Sequence, residues 1–344
     1  MSQVVMVTGV ARYLGACFAR LLGDDPAVDR VVGVDIIPPT NDLGRCEFIR
    51  ADIRHPVVAK VISRAKVDTV VHMSVLATPL DAGGRVLQKE INVIGTMQLL
   101  AACQKALTVR RLVVKSSTTV YGASPRDPAM FTEDMAPKAL PSSGYAKDSV
   151  EVEAYVRGFS RRRPDVGVTT LRFANFIGPT VRTPLTSYFT LPMLPIVLGH
   201  DARLQFIHED DGLAALRLAT LNDRPGTFNV AGDGVLMLSQ AARRAGRPVL
   251  PLPELASSTV GGLFKRAKLA DFSPEQIRFL TYGRGVDTTR MRERLRFTPE
   301  HDTAQAFETF VEARCRGGAL DRDRVGSLER RLVQALRRTV SADG

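Results

Sequence analysis

Hydrophobic and polar positions along the chain fall into a repeating rhythm. Val4 to Thr8 is a short apolar run that stops at Gly9, and Ala11 to Leu22 then carries apolar residues at helical spacing. Short unbroken apolar runs suit strands buried on both faces, and a period near 3.6 suits helices packed on one side. The alternation continues. Val31 to Val34 predicts a strand ending at Asp35, Cys46 to Ala51 a third strand followed by Asp52, and Val57 to Ala65 a helix. Thr69 to Met73 predicts a fourth strand, Glu90 to Ala106 a long amphipathic helix, and Arg111 to Lys115 the start of a fifth strand. Ser149 to Arg161 predicts a helix and Val168 to Phe173 a sixth strand. Strands alternating with helices predict an α/β fold of the Rossmann type, a doubly wound parallel sheet.

After Asn175 the rhythm changes. Thr180 to Gly199 is rich in Pro and apolar residues and reads as an irregular lobe or loop. Within it, Leu185 to Leu198 reads either as lobe packing or as the lining of an apolar pocket. Gly226 to Val230 predicts one more strand, returning to the main sheet. Ser273-Pro274-Glu275-Gln276 has the cap, first-turn proline and capping-box residue of a helix start. Asp287 is placed to cap another helix through Leu295. Val325, Leu328, Leu332, Leu336 and Val340 sit at helical intervals, flanked by Arg330, Arg331, Arg337 and Arg338. That pattern suits a peripheral membrane or partner contact through 325–340, or a solvated terminal helix.

Composition narrows the class. The chain has 344 residues, 44% apolar and 24% charged, as in ordinary globular proteins. No apolar run is long enough to span a bilayer, so a transmembrane protein is not expected. Met1 leads directly into a strand-like run with no basic n-region, which predicts a cytoplasmic protein. The formal charge of +11 favours anionic partners. Trp is absent and no nucleic-acid motif is present, so nucleic acid is set aside as a partner. Cys17, Cys46, Cys103 and Cys315 lack metal-ligand spacing and read as buried, reduced thiols. No metal is expected.

The first strand–turn–helix carries the clearest chemistry. Thr8-Gly9-Val10-Ala11-Arg12-Tyr13-Leu14-Gly15 follows a strand and opens a helix, the context of a dinucleotide loop. Gly9 would permit the tight turn and Gly15 the close helix–sheet packing, while Arg12 occupies the position of the middle glycine. Asp35, 20 residues after Gly15, is placed to accept hydrogen bonds from a ribose and to repel a 2′-phosphate. That favours NAD over NADP. Arg12 pulls the other way, unless it is a solvated surface residue. The expected division is an NAD-binding Rossmann domain over 1–178 and a smaller C-terminal substrate lobe over 179–316. Residues 226–231 rejoin the main sheet, and 317–344 form a basic tail.

With these segments in view, the sequence resembles the extended short-chain dehydrogenase/reductase superfamily. Within it, the chain is most similar to the NAD-dependent epimerase/dehydratase family, of the bacterial UDP-glucose 4-epimerase-like kind. The resemblance spans roughly residues 3 to 300. It rests on the glycine loop, on Ala51-Asp52-Ile53, on Val70-Val71-His72-Met73 and on Asn92 with Gly95-Thr96. Ser116-Ser117-Thr118-Thr119-Val120-Tyr121-Gly122 and Leu171-Arg172-Phe173-Ala174-Asn175 with Gly178-Pro179 continue it. Phe206-Ile207-His208 with Asp211, and Phe228-Asn229-Val230, complete it. The resemblance implies bound NAD, with Gly9, Arg12, Tyr13, Leu14, Gly15, Asp35, Asp52, Ile53, Met73, Asn92 and Lys147 at the cofactor. It implies Ser117 as the catalytic Ser/Thr, Asn175 and Arg203 toward a nucleotide-sugar substrate, and a homodimer. Arg203 stands one place early relative to the family's arginine before the aromatic-Ile-His strand.

The family's Tyr-x-x-x-Lys pair is where the chain departs. Aligned on Lys147, the tyrosine position holds Ser143, and Tyr145 is two residues away, about 200° around a helix. Three readings stay open. Ser143 acts in place of the tyrosine; Tyr145 lies before the helix proper, with Ser143 as its N-cap, and swings inward; or the site binds NAD without redox chemistry. His72 reads as a satisfied core histidine, Tyr121 and Tyr155 as packing residues, and His208 with Glu209-Asp210-Asp211 as a strand-end network. The leading expectation is an NAD-dependent nucleotide-sugar epimerase or dehydratase with an atypical active site. The alternatives are a non-catalytic NAD(H)-binding sensor or scaffold, and an oxidoreductase of an apolar alcohol or ketone.

Overall fold

The computed structural model describes residues 3–77, 83–142, 144–253 and 273–315. Strands β1 (Val4–Thr8), β2 (Arg30–Asp35), β3 (Glu47–Arg50), β4 (Thr69–His72), β5 (Arg111–Ser117) and β6 (Gly167–Phe173) fill the first half. Short strands β7 (Asn175–Ile177), β8 (Leu194–Val197), β9 (Arg203–Leu204) and β10 (Phe206–His208) come next. They are followed by β11 (Gly226–Val230), β12 (Leu236–Met237) and β13 (Val249–Leu252). Seven of these make one sheet in the order β11-β6-β5-β4-β1-β2-β3, with every neighbouring pair parallel. The chain reverses its direction of travel across the sheet between β1 and β4. Open α/β sheets bind ligands in the crevice at that switch point.

Helices cover both faces. Phe18, Ala19 and Leu22 of α1 (Tyr13–Gly23) and Leu216 and Ala219 of α7 (Glu209–Leu221) pack on Val5, Val7, Val71, Val113 and Leu171. The opposite face buries Met6, Val32, Val70, Leu112 and Val114 under three helices, α2 (Val57–Ala65), α4 (Thr96–Lys105) and α5 (Gly144–Arg162). A strand residue points to one face and its neighbour to the other. An unbroken apolar run therefore feeds two cores at once.

The second half builds the lobe. Thr180 to Gly199 is not irregular, as its composition suggests. Thr183 caps α6 (Pro184–Phe189) in a reciprocal capping box with Thr186, and β8 pairs with β13. That pairing joins segments some fifty residues apart, which local pattern does not reveal. Leu185, Tyr188, Phe189, Leu191 and Leu194 are buried in the lobe's own core with Phe206, Phe307 and Phe310. The segment is lobe packing. Ser273 caps the helix Pro274–Tyr282, accepting from the Gln276 amide. Asp287 accepts from the Thr289 amide, ahead of a single wide turn over Met291–Leu295. Helix Thr303–Arg314 closes the described chain. The basic tail over 317–344, with the 325–340 pattern, lies outside the described residues.

Two helix starts differ from the sequence pattern. The helix expected from Glu90 begins earlier, as α3 (Arg85–Lys89), and widens into a π turn over Glu90–Gly95 before α4. Helix α5 begins at Gly144, five residues ahead of Ser149. Its extra turn is held by Asp148, which is fully buried and paired with Arg85 at 2.5 Å. The four cysteines are free; Cys46, Cys103 and Cys315 are buried and Cys17 half-buried.

His72 is a core histidine. Its Nδ1 lies 2.9 Å from Thr8 Oγ1 and its Nε2 2.8 Å from Thr96 Oγ1. Burial, then the nearby Lys115 charge, push its pKa from 6.5 down to about 4. The folded protein keeps this ring neutral while the unfolded chain takes up a proton below about pH 6.5. Stability therefore falls as pH drops from about 6.5 to about 4, by up to about 3 kcal/mol from this residue alone. Urea unfolding at pH 7 and pH 4.5 should show a smaller acid loss in His72→Gln than in the wild type. Equal losses would contradict a neutral, buried His72.

Candidate active site

The crevice between β1 and β4 is shaped by two glycines. Gly9 has φ +84°, and a Cβ there would come within 3.0 Å of the Met73 and Ser74 backbone. A Cβ on Gly15 would stand 2.1 Å from the Gly9 carbonyl oxygen. The first turn can therefore lie flat against β4, with the start of α1 aimed across the crevice. Arg12 is the extended N-cap residue of α1, and its side chain makes no capping bond. Asp35 ends β2 beside this turn, where its carboxylate accepts from the Ala11 amide at 3.0 Å and the Ile36 amide at 2.7 Å. Met73 is buried at the crevice floor, its amide donating to Thr8 Oγ1. Leu14 packs on the core behind it. Backbone N–H groups at such a helix start suit a pyrophosphate, so the residues present fit a dinucleotide.

The other cofactor candidates divide into surface and support. Tyr13 lies beside Thr180; burial, chiefly, raises its pKa to about 12, against the lowering influence of the Thr180 side chain. Asp52 is paired with Arg54 at 2.7 Å, and Arg54 with Glu90 at 2.9 Å. Burial opposes the Asp52 charge, but the Arg54 hydrogen bonds outweigh it and hold its pKa below the usual range. Ile53 is buried against Gly95. Asn92 is fully buried and its amide is spent: it accepts from the Leu76 amide and donates to the Leu76 carbonyl and to Asp148. It shapes the loop after β4 rather than facing a ligand.

The reaction corner lies where β5 ends. Ser117 closes that strand and caps the short turn Thr118–Tyr121, accepting from the Thr119 amide at 3.2 Å. The Tyr145 phenol, arriving from α5, lies beside the side chains of Ser117 and Ser149, whose hydroxyls favour its ionised form; the Ser149 hydroxyl itself donates to the Tyr145 backbone carbonyl at 2.9 Å. Tyr145 is therefore the hydroxyl that meets Ser117, and it does so from within the helix, not from a non-helical entry. Ser143 falls outside the described residues. Lys147, two residues on, lies about 200° around the helix. The residue four places after Tyr145, on the same face, is Ser149. The expected frame is counted from Lys147 back to Ser143; counted instead from Tyr145, the place four residues on holds Ser149. Burial raises the Tyr145 pKa, the two serine side chains lower it, and burial prevails.

Asn175 starts β7, beside Phe206 of β10. Arg203 reaches the Pro128 carbonyl at 3.4 Å. Tyr121 is fully buried, stacked on Phe131 at 4.6 Å, and bonded to Asn229 and Arg172. It is a packing residue, as expected. Tyr155 is exposed. His208, Asp211 and His301 come together, the two rings stacked at 4.0 Å. The Asp211 carboxylate accepts from the Glu300 and His301 amides and the His301 ring, so the cluster is a strand-end network.

Two residues escaped sequence reasoning. Lys115 lies two residues before Ser117, so both point from the same face of β5. Its Nζ lies 5.6 Å from the Phe176 ring, and burial pushes its pKa down to about 8. A lone lysine in an apolar strand was a visible signal. Arg284 comes from the lobe and donates to the Gly122 carbonyl at 2.5 Å, and no local pattern marks it.

The seven-stranded parallel sheet and the glycine turn together define a Rossmann-type α/β class. The chain matches the NAD dependent epimerase/dehydratase family over residues 5–231 and belongs to that family. An uncharacterized protein of Mycobacterium tuberculosis is 47% identical over 335 residues, spanning 96% of this chain and 89% of that protein. A UDP-glucose 4-epimerase of Mycolicibacterium smegmatis is 30% identical over 192 residues, 51% of this chain and 56% of that protein. The structure of the Thermotoga maritima UDP-glucose 4-epimerase with UDP-glucose superposes with a TM-score of 0.70 at 19% identity, covering 90% of this chain and 98% of that one. MoeE5 in complex with UDP-glucuronic acid and NAD gives 0.69 at 22% identity, over 90% and 98%. At these identities the superpositions show the fold. Among the described residues, no helix is long and apolar enough to cross a membrane.

The position of Asp35 generates a cofactor prediction. A 2′-phosphate would meet its carboxylate. Calorimetry should show NAD binding more tightly than NADP, with the gap narrowed in Asp35→Ala. Equal or tighter NADP binding by the wild type would contradict the assignment.

Proposed function

We propose that this protein is an NAD-dependent epimerase or dehydratase of nucleotide sugars that works through Tyr145 and Ser117 without the customary helix lysine. The observation that carries this reading is the approach of the Tyr145 side chain to Ser117 where β5 ends. Gly9, Gly15 and Asp35 would hold NAD, with Met73 beneath it. The cofactor supplies a site that takes a hydride and returns it. The chain supplies orientation and proton transfer. Ser117 Oγ would bind the reacting sugar oxygen, and the Tyr145 phenol would move the proton on and off that oxygen. Asn175 and Arg203 would face the nucleotide sugar.

The missing lysine sets the rate. A cation beside a phenol stabilises the phenolate and brings its pKa toward neutrality. Tyr145 has Ser149 in that place, and burial raises its pKa above the ordinary value. The phenolate is therefore scarce at pH 7, and catalysis that needs it is slow there and faster in base. Turnover of UDP-glucose or UDP-galactose at pH 7 should stay below about 1 per second, the low side of ordinary enzymes. The rate should still be climbing above pH 8, because an ordinary tyrosine titrates near about pH 10. Tyr145→Phe should lower kcat about 100-fold or more, as for a lost general acid/base. A fast, pH-flat wild type, or an unaffected Tyr145→Phe, would overturn the reading.

The same absence of a lysine favours a second reading, an NAD(H)-binding protein without turnover. Intact NAD binding with no conversion of any UDP-sugar between pH 7 and 10 would establish it. The apolar-substrate oxidoreductase loses most of its motive, because Leu185, Tyr188, Phe189, Leu191 and Leu194 are spent in the lobe core.

A further inference from the structure

Arg284 is a buried guanidinium that forms no ion pair with an acid among the described residues. Its side chain comes from the loop after helix Pro274–Tyr282, and the residue is 7% exposed. Nη1 donates to the Gly122 carbonyl, the residue that ends the turn begun at Ser117. Its plane lies over the Phe279 ring at 5.0 Å. Nε is buried without a hydrogen-bond partner. Arg172, buried to a similar degree, shows the contrast: it grips both oxygens of Glu153. Asp127, an acid whose charge acts on Arg284, has its two carboxylate oxygens engaged by the amide and hydroxyl of Ser124. A charge taken out of water without a counter-ion is costly, and such a cost is retained where a ligand supplies the missing anion. The guanidinium also lies within electrostatic range of the Tyr145 phenol, and burial pushes its own pKa down to about 10.

We propose that Arg284 is an anion-binding group of the substrate pocket, and that it receives a carboxylate carried on the sugar next to the reacting carbon. This rests on the nucleotide-sugar reading and narrows it to sugar acids. A planar carboxylate fits the free edge of a guanidinium, and a neutral sugar would leave that edge unsatisfied. The rest of the substrate then lies between Arg284 and the Ser117–Tyr145 pair.

The test is calorimetric titration of the NAD-loaded full chain with UDP, UDP-glucose and UDP-glucuronate. The wild type should bind UDP-glucuronate about 10-fold or more tightly than UDP-glucose, the worth of one charge-assisted pair. Arg284→Gln should abolish that preference while UDP binding stays unchanged, and Arg284→Lys should keep part of it. Thermal unfolding and NAD binding of each variant report whether the fold survives, and the wild-type preference needs no variant. UDP binding without a preference for the sugar acid would overturn the proposal alone. Equal weakening of UDP and both sugars by Arg284→Gln would overturn it in favour of a diphosphate contact. NAD binding with no binding of UDP would contradict the nucleotide-sugar reading and this proposal with it.

Discussion

The rotation of α5 about its own axis is the constraint on which the site depends. Glu153, on that helix, is 4% exposed and meets Arg172 of β6 at 2.6 Å and Ser116 of β5 at 2.6 Å. One turn earlier, Asp148 is gripped by Arg85 and Asn92. Tyr145, Asp148, Ser149, Val152, Glu153 and Val156 share one arc of a helix with 3.6 residues per turn. Fixing Asp148 and Glu153 against the sheet therefore turns Tyr145 toward Ser117 and Lys147 away. Removing one member of a buried pair leaves an uncompensated charge, at a cost of about 3–5 kcal/mol. That cost resists any slip of the helix that would bring the lysine in.

The same clamp decides the electrostatics of the reaction corner. In the proposed reading, Ser149 takes the inner-face position where the family has a lysine. The cations near the corner come from elsewhere: Lys115 from β5, its pKa lowered by burial, and Arg284 from the lobe. A positive group in the lobe acts on whatever the lobe holds, so substrate choice and proton transfer become linked through one residue.

Much of this was legible in the sequence because its chemistry is local. Gly9, Gly15 and Asp35 sit at strand and helix ends that apolar runs mark directly, and Ser273 announces a helix through its own neighbours. The lobe segment 180–199 was harder, since β8 finds its partner far along the chain. The motif on α5 admits two frames, one counted from Lys147 and one from Tyr145, and local spacing does not choose between them. The face that α5 presents depends on bonds between residues 19 and 63 positions apart. Arg284 reaches Gly122 across 162 positions, a contact that no periodicity encodes.

The central claim is that Tyr145 and Ser117, not Lys147, address the reacting atoms. A crystal structure of the protein with NAD and a UDP-sugar tests it most directly. The account predicts the Tyr145 phenol and Ser117 Oγ within about 3 Å of one sugar oxygen, the reach of a catalytic hydrogen bond. It also predicts the Lys147 amine pointing away, toward solvent. Lys147 bonded to the nicotinamide ribose, with Tyr145 turned from the sugar, would contradict it.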